Sequence, residues 1–561
     1  MRIIEIAACT CLLTIVVLVC DTPAQVETLS VSSDGTLADK DCFLGTGYNW
    51  NNHLGNTVSG NGRFIAFSTL ASNLVPDDTN GTADIFVRDR ISGTTRRISV
   101  STSGAQSDGW SSQVSISGDG RLVAFSSYGS NLVPGDSYGT LEVFVHDRQT
   151  GTTTLVSVGS RGEKANDACS DPFLSADGRF VAFGSRATNL VSSDTNDSGD
   201  IFLHDRQTGI TERVSVNSSE EEANKESNLP TVSADGSRVA FTSQASNLWP
   251  GFYYGRNIFV RDRLAGETTC VSLDVTGKPG GEASDGVISK DGSVVVFQSN
   301  DQDLVPIDTN FVEDAFLRDL AANTTEMISV ASDGSQGNDG SGYHLSLSTD
   351  GSSVVFSSAS ANLDGDPDGF LDVFLRDRTR GITMNLSDNL PTAKQASGCG
   401  MSADGGFVAF ASSDYVYESP PVDQVFGREI CFVGFETFGV GLAGSGGIVP
   451  QLDGSDGECF GSYTLHVWNG LGRATLYLWV GLGSGDFPFS GGRFYIDLSR
   501  PWAFLTLTLG GPAGVPGAGS LDLPGADISD FRGIDFYLQG TIVDPGAIQG
   551  MALTNGLIMD L

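Results

Sequence analysis

Short apolar runs separated by polar turns dominate the pattern of this chain. The runs at 122–127 and 180–185 are typical: about six residues rich in Val, Phe and Ala, bounded by Gly, Asp, Asn and Ser. Segments of this length and composition between turn residues are typical of β-strands. With 71 Gly and few Lys or Met, the composition also suits many short strands joined by tight turns. The pattern predicts an all-β protein.

The runs recur with a period of about 58 residues. A turn of the form S-x-D-G precedes a V-A-F run in each copy, and an earlier copy has Asn61 in place of the Asp. The Asp of the other six copies occupies positions 119, 177, 235, 291, 350 and 404. Such a period indicates one supersecondary unit per copy, and seven copies are present.

Each complete copy contains four predicted strands, the content of one propeller blade. A strand ends in the S-x-D-G turn, the V-A-F strand follows, an acidic loop leads to a D-I-F-V-x-D-R strand, and a Gly-containing hairpin leads to a β-branched fourth strand. The seventh copy has only three strands, whereas the segment VETLSVS at 26–32 resembles an isolated fourth strand. Pairing these two ends would close a seven-bladed ring and remove its exposed edges.

The S-x-D-G-x-x-V-A-F pair followed by D-I-F-V-x-D-R resembles the TolB-like β-propellers, which are related to WD repeats. The resemblance covers residues 25–430. It implies a propeller fold. Members of that family scaffold protein contacts, bind ligands or form the non-catalytic part of enzymes, so the resemblance does not choose among these functions.

The two ends of the chain differ from the repeat region. Residues 1–24 carry Arg2, a short apolar run and a small-residue site after Ala24, the pattern of a secretory signal peptide. A secreted or cell-surface protein is expected, with the periplasm as an alternative. Residues 431–561 predict a smaller β-sandwich-like domain that resembles a Gly-rich C-terminal domain of secreted bacterial proteins, which suggests attachment or sorting.

The acidic loop before the third strand is the candidate metal site. Its spacing, D-x-[ND]-x-x-x-D, provides oxygen ligands of the kind that calcium prefers, and calcium is the only cofactor expected. The alternative is that Asp and Asn form Asx turns that satisfy loop amides. The candidate ligands are Asp78, Asn80, Asp84, Asp194, Asn196, Asp200, Asp308, Asn310, Asp314, Asp364, Asp366, Asp368 and Asp372.

Other catalytic signatures are absent from the sequence. No G-x-S-x-G, H-E-x-x-H, Walker or dinucleotide fingerprint occurs, and the five His have no metal-ligand spacing. The His-Asp pairs at 146–147 and 204–205 recur where other copies have Arg-Asp, which favours an Asp that stabilises the turn beside a solvated cation. Carboxylate pairs suited to glycoside hydrolysis stay open.

A net charge of −36 makes nucleic acid an unfavourable partner and favours divalent cations or basic partners. We therefore expect a monomeric, non-enzymatic binding or scaffold propeller that presents an acidic face to a protein or glycan, without membrane insertion after signal removal. An extracellular hydrolase or lyase acting on polysaccharide and a structural cell-surface protein are the alternatives. A group of unlike polar residues in one pocket would favour an enzyme, and Trp249, Phe252, Tyr253 and Arg256 are the one visible break in the repeat.

Overall fold

The fold was analysed in a computed structural model. It describes residues 26–44, 56–135, 139–251, 255–280, 282–363, 369–387, 390, 395–413 and 422–430, and beyond 431 the backbone strands. The chain divides into two units, one spanning Val26–Glu429 and the other containing Ile430–Leu561. The predicted signal peptide lies outside the described residues.

The first unit consists of seven four-stranded antiparallel sheets, or blades. In each blade the strands are named inner, second, third and outer, in that order. The blades comprise, for blade 1, Cys42–Phe43, Phe64–Thr69, Asp84–Asp89 and Thr94–Arg97; for blade 2, Ser111–Ile116, Leu122–Ser127, Glu142–Asp147 and Thr152–Leu155; for blade 3, Cys169–Leu174, Phe180–Ser185, Asp200–Asp205 and Ile210–Arg213; for blade 4, Ser227–Val232, Arg238–Ser243, Asn257–Asp262 and Glu267–Cys270; for blade 5, Ala283–Ile288, Val294–Ser299, Asp314–Asp319 and Thr324–Met327; for blade 6, Ser341–Leu347, Ser353–Ser358, Asp372–Asp377 and Ile382–Asn385; and for blade 7, Gln395–Met401, Phe407–Ser413, Gln424–Glu429 and Glu27–Thr28.

The predicted closure of the ring is confirmed. Glu27–Thr28 pairs antiparallel with Gln424–Glu429, with Glu27 opposite Gly427 and Thr28 opposite Phe426. The amide of Leu29 extends the pairing by donating to the Val425 carbonyl at 2.7 Å. The first strand of the unit is thus the outer strand of its last blade, and the fold is a seven-bladed β-propeller.

A repeated backbone contact joins each blade to the next. An amide at the start of each inner strand donates to the carbonyl of the residue just before the third strand of the preceding blade. The seven bonds, 2.6 to 3.0 Å long, run from Cys42 to Asp423, Ser111 to Ala83, Cys169 to Leu141, Ser227 to Gly199, Ala283 to Arg256, Ser341 to Glu313 and Ala396 to Leu371. The inner strands therefore surround a central channel, and the acidic loops lie beside one mouth of it.

Phenylalanine pairs fill the space within the blades. Phe67 stacks on Phe86 with ring centroids 6.1 Å apart, and blades 2 to 6 repeat the stacked pair. The pairs come from facing positions of the second and third strands, which explains why both strands carry a Phe in every copy. The S-x-D-G turns form as predicted: the Asp119 carboxylate accepts from Ser117 Oγ at 2.6 Å, and Gly120 has φ 71°.

The second unit is described by its strands. A six-stranded sheet contains, in order, Gly457–Glu458, Phe432–Phe438, Met551–Asp560, Phe536–Val543, Thr475–Gly481 and Trp502–Thr508. A three-stranded sheet contains Gln451–Gly454, Thr464–Leu471 and Pro516–Pro524, and Ser484–Phe489 pairs with Gly492–Ile496. The sandwich-like arrangement and the attachment role stay predictions. Across the described residues, no helix has the length and apolar character needed to span a membrane.

Candidate functional site

The acidic loops end in a carboxylate that is buried. In blade 1, Asp84 is fully buried and accepts hydrogen bonds from Ser99 Oγ at 2.5 Å and Asn80 Nδ2 at 2.9 Å. The same arrangement recurs in blade 3 with Ser215, Asp200 and Asn196, and in blade 5 with Ser329, Asp314 and Asn310. These carboxylates therefore hold the loop against the outer-strand side of the blade. The sequence predicts an acidic face for a partner, but these three carboxylates are buried and do not face solvent.

The loop asparagines also have a structural role. Asn80 Nδ2 donates to the Ser107 carbonyl at 2.9 Å, and its Oδ1 accepts from the Thr82 amide at 3.1 Å. Asn310 repeats both contacts, with Gly337 and Val312. Because the side-chain oxygens already accept from loop amides, the loops form Asx-type turns of the kind proposed as the alternative to calcium.

Blades 1 and 3 neutralise their loop carboxylates with an arginine of the outer strand. Arg97 lies 3.5 Å from Asp78 and 3.8 Å from Asp84, and all three side chains are at most 9% exposed. Arg213 pairs in the same way with Asp194 at 3.7 Å and Asp200 at 3.4 Å. Two of the loops predicted to bind calcium thus already have an arginine cation beside their carboxylates.

Blade 5 has Met327 at the position of these arginines, so its loop carboxylates have no arginine of the outer strand beside them. Asp308 Oδ1 is buried without a hydrogen-bond partner among the described residues. Burial is the main cause that raises the pKa of Asp314 to about 6, with a contribution from Asp308, and burial raises the pKa of Asp84 in blade 1 to about 6 as well. Burial also raises the pKa of Asp308. Of the described loops that keep the full D-x-N-x-x-x-D spacing, this one has no cation of its own.

The other predicted ligands complete the comparison. In blade 6, Asp372 accepts from Ser387 Oγ at 2.6 Å, whereas Asp364, Asp366 and Asp368 lie outside the described residues. Within the described part of the chain, no three His, Cys, Asp or Glu side chains gather closely enough to hold a metal ion. Calcium binding stays a prediction.

The His-Asp pairs of the third strands are structural. His146 is buried and its Nδ1 lies 2.9 Å from Thr153 Oγ1, while burial lowers its pKa. The neighbouring Asp147 accepts from the Gln149 amide at 2.9 Å, as expected for an Asp that stabilises a turn. The expectation of a solvated cation beside it is wrong in blade 1, because Arg90 is 13% exposed and its guanidinium lies 3.7 Å from the centre of the Phe407 ring.

A second set of residues, which the sequence analysis missed, lies on the inner strands. Each inner strand of blades 2 to 7 has a β-bulge with a residue of positive φ, and the inner strand of blade 6 has a second one, Gly342. Blade 7 uses glycine, Gly398, and the other five use a larger residue. These five are Gln113, Asp171, Leu229, Asp285 and His344, with φ between 54° and 57°. The left-handed conformation costs about 1–2 kcal/mol for a residue with a side chain.

Retained strain of this kind points to side chains that are needed where they are. Gln113 and Asp171 contact each other between adjacent blades: Gln113 Nε2 donates to Asp171 Oδ1 at 2.7 Å, and the Asp171 amide donates back to Gln113 Oε1 at 3.1 Å. Burial raises the pKa of the Asp171 carboxyl. The pair holds one carboxylate at a fixed position on the inner wall.

Asp285 is the second carboxylate of this ring. Its Oδ2 accepts from Ser284 Oγ at 3.0 Å, but its Oδ1 is buried and has no partner among the described residues. Burial raises the pKa of Asp285 to about 6, Arg256 lowers it, and Glu313 and Asp171 raise it. Asp171 and Asp285 belong to blades 3 and 5, which are not neighbours, so their interaction acts across the channel.

Blades 5 and 6 add further polar groups to this mouth. Glu313 Oε2 accepts from Tyr343 Oη at 2.8 Å and from Gln298 Nε2 at 2.9 Å. Burial and Glu313 together raise the pKa of Tyr343 to about 12, which keeps the phenol protonated as a donor. His344 occupies the bulge beside Tyr343 and is 8% exposed. We call Gln113, Asp171, Asp285, Glu313 and Tyr343 the mouth cluster.

The break of the repeat in blade 4 contributes one member of these surroundings. Trp249 packs against the hydrophobic core shared by blades 3 and 4, which is a structural role. Arg256 forms a parallel β-bridge with Glu282 through the backbone, and its guanidinium is the cation near Asp285. Phe252 and Tyr253 lie outside the described residues. The break of the repeat in blade 4 therefore places the positive charge of Arg256 near Asp285 of the mouth cluster.

Comparisons with known proteins concern the fold. No family model matches the chain, and no curated protein matches it. An oligogalacturonate lyase from Vibrio parahaemolyticus is 13% identical with a TM-score of 0.44, over 72% of this chain and 97% of that one. A prolyl endopeptidase is 12% identical with a TM-score of 0.43, over 76% of this chain and 56% of that one. A TolB-like protein from Agrobacterium tumefaciens is 14% identical with a TM-score of 0.30, over 51% and 80%. At these identities the likeness concerns the fold alone. The propeller fold that the resemblance to TolB-like proteins implied is confirmed by the seven blades of this structure.

Proposed function

We propose that this chain is a secreted or cell-surface binding protein whose channel mouth receives a positively charged group of a partner. The observation that supports this most directly is Asp285, a strained residue with one carboxylate oxygen that is buried and has no hydrogen-bond partner in the described part of the chain. A buried carboxylate without a partner is costly, and a cation that reaches it removes that cost. Asp171 and Glu313 add negative charge beside it.

Among the partners expected from the sequence, a basic segment of a protein fits this mouth better than a neutral glycan. A lysine or arginine side chain is long and narrow and carries its charge at the tip, which suits a site inside a channel. The net charge of −36 would accelerate the approach of such a segment and make binding sensitive to salt.

Binding of a tetralysine peptide, measured by titration calorimetry, tests this function. Asp285→Asn should weaken binding by about 10-fold or more, because it removes the unpaired charge. Glu267→Gln is the matched control, since Glu267 is an exposed carboxylate on an outer strand and its loss changes the net charge equally. Equal affinities for the two variants, or no binding to the wild-type protein, would rule the proposal out.

A second candidate function is hydrolysis or elimination of a polysaccharide. It is favoured by two carboxylates with raised pKa values facing one channel, since a protonated and an ionised carboxyl can divide general-acid and general-base roles. Release of new reducing ends from acidic and neutral polysaccharides, lost in Asp285→Asn and retained in Glu267→Gln, would support this reading. Retention of any such activity in Asp285→Asn would exclude Asp285 from it.

A further inference from the structure

Small residues surround the far end of the central channel. Here the S-x-D-G turns meet, and the residue after the Ser is Gly or Ala in five blades: Gly60, Gly118, Ala176, Ala234 and Ala403. Backbone hydrogen bonds of 2.8 to 2.9 Å link neighbouring turns, for example from Gly60 to Gly118 and from Ala403 to Gly60. A Cβ added at Gly60 would lie 3.0 Å from the Gly118 carbonyl oxygen. We call this ring of turns the channel floor.

Blade 5 places Lys290 at this position of the floor. Its carbonyl accepts from the Ala234 amide at 2.8 Å, so its backbone belongs to the same ring. Its Nζ is buried and has no hydrogen-bond partner among the described residues, although part of the side chain is exposed. A lysine near a surface ordinarily buries its stem and extends its ammonium into water. Lys290 does the opposite and turns its amine into the protein.

A small cavity adjoins Lys290. Lys290 lines a cavity of about 30 Å³ together with residues from the inner strands, among them Val232, Ile288, Leu345 and Met401. That volume admits about two water-sized bodies. The two polar residues of the lining are already engaged: Asn56 donates to the Ile116 carbonyl at 2.7 Å, and Ser346 Oγ accepts from the Met401 amide at 3.1 Å.

A protonated amine in such a cavity requires a negative charge. Burial lowers the pKa of Lys290 to about 8, while Asp404 acts in the opposite direction, so the amine still carries a proton near pH 7. No described carboxylate forms an ion pair with it, and an unpaired buried charge costs several kcal/mol. We propose that the cavity at the channel floor binds a small monovalent anion, of the size of chloride or formate, that pairs with the Lys290 ammonium.

This site is tested by thermal unfolding at pH 6.5 and constant sodium concentration, with chloride, formate or gluconate as the anion. Chloride and formate should raise the Tm of the wild-type protein by about 2 °C over gluconate, which is too large for the cavity. Lys290→Met should show no such difference and should be more stable than the wild type in gluconate, because an apolar group replaces an unpaired charge. Lys225→Met, which removes an exposed lysine, should respond to the anions as the wild type does.

Lys290→Ala provides a second variant that is expected to fold, because Ala stands at the same position of three other blades. The wild-type response should also weaken as the pH rises above about 8 and be lost near pH 10, where the Lys290 amine of the folded protein is neutral. A crystal soaked in bromide should show one anomalous peak beside Lys290 Nζ. Identical anion responses in the wild type and both Lys290 variants, or a bromide-soaked crystal without that peak, would overturn the proposal. The site is independent of the mouth cluster.

Discussion

The acidic loops of blades 1 and 5 have similar sequences, PDDTNGTAD and PIDTNFVED, but they differ in whether an arginine lies beside their buried carboxylates. Both bury the final Asp and bond it to a Ser and an Asn. In blade 1, Arg97 of the outer strand neutralises the loop, whereas blade 5 has Met327 there. The motif therefore specifies the shape of the loop, and a residue outside the motif decides whether the loop has an open charge. Calcium, if it binds, should bind where the arginine is missing.

The largest expected effect is the loss of the internal cation. Arg97→Met should lower the free energy of unfolding by about 3 kcal/mol, because Asp78 and Asp84 would stay buried without a cation beside them. Urea denaturation measures this. Arg96→Met is the control, since Arg96 is exposed on the same strand and should change stability by less than about 0.5 kcal/mol. Equal effects would mean that the buried pair does not stabilise blade 1.

The pH dependence of blade 5 is the next effect in size. The folded protein binds the proton of Asp314 more tightly than the unfolded chain does, with a pKa of about 6 against 3.8. The free energy of unfolding therefore falls as the pH rises through that interval. Asp314→Asn should remove this loss, and its stability relative to the wild type should be about 2 kcal/mol higher at pH 8 than at pH 4.

Blade 4 makes this substitution reasonable, because it carries Asn257 at the same position with Ser272 donating at 2.8 Å. Chemical denaturation at the two pH values gives the comparison. If the difference between variant and wild type were the same at both, Asp314 would have an ordinary pKa in the folded protein.

The serine donors should also distinguish the two blades. Ser329→Ala removes one of the two neutral donors to Asp314, in a blade without an arginine, and should cost about 2 kcal/mol. Ser99→Ala should cost about 1 kcal/mol, because Arg97 continues to compensate Asp84. Thermal or urea unfolding of both variants is sufficient. A larger cost in blade 1 than in blade 5 would contradict the comparison.

The smallest effect concerns calcium. Millimolar calcium, compared with EDTA, should raise the Tm by about 2 °C. Asp308→Asn should abolish the rise, and so should Met327→Arg, which supplies the cation found in blade 1. Asp78→Asn should leave it unchanged, since that loop already holds Arg97. A rise that survives Asp308→Asn would move the site to blade 6 or exclude the repeated loop altogether.

Much of the fold could be read from the sequence because each blade repeats the same local signals. The S-x-D-G turn and the paired phenylalanines recur at a fixed spacing, and the unpaired fourth strand at Glu27–Thr28 matched the incomplete last copy. The site was harder to predict. Asp171 and Asp285 follow no residue-type rule, because a left-handed bulge occupied by a side chain leaves no signal in composition.

Lys290 is a second residue whose environment could not be predicted from the sequence. In the sequence it is the variable residue of a turn, and only the structure shows that its Nζ is buried and that Lys290 borders a cavity. Aligning the repeats column by column and asking where a small residue is replaced by a charged one would have found it. The acidic loops drew attention instead because their motif is repeated, and repetition indicates architecture more often than a ligand.

The closure of blade 7 has a consequence for how the protein reaches its folded state. Thr28 and Phe426 pair although they lie about 400 positions apart, and bringing them together carries a loop-closure cost that six other blades must already have offset. The strand that is synthesised first completes the blade that is synthesised last. A chain truncated within blade 7 would leave the first strand without a partner, and removal of a few residues after Gln25 would open the seam of the whole ring.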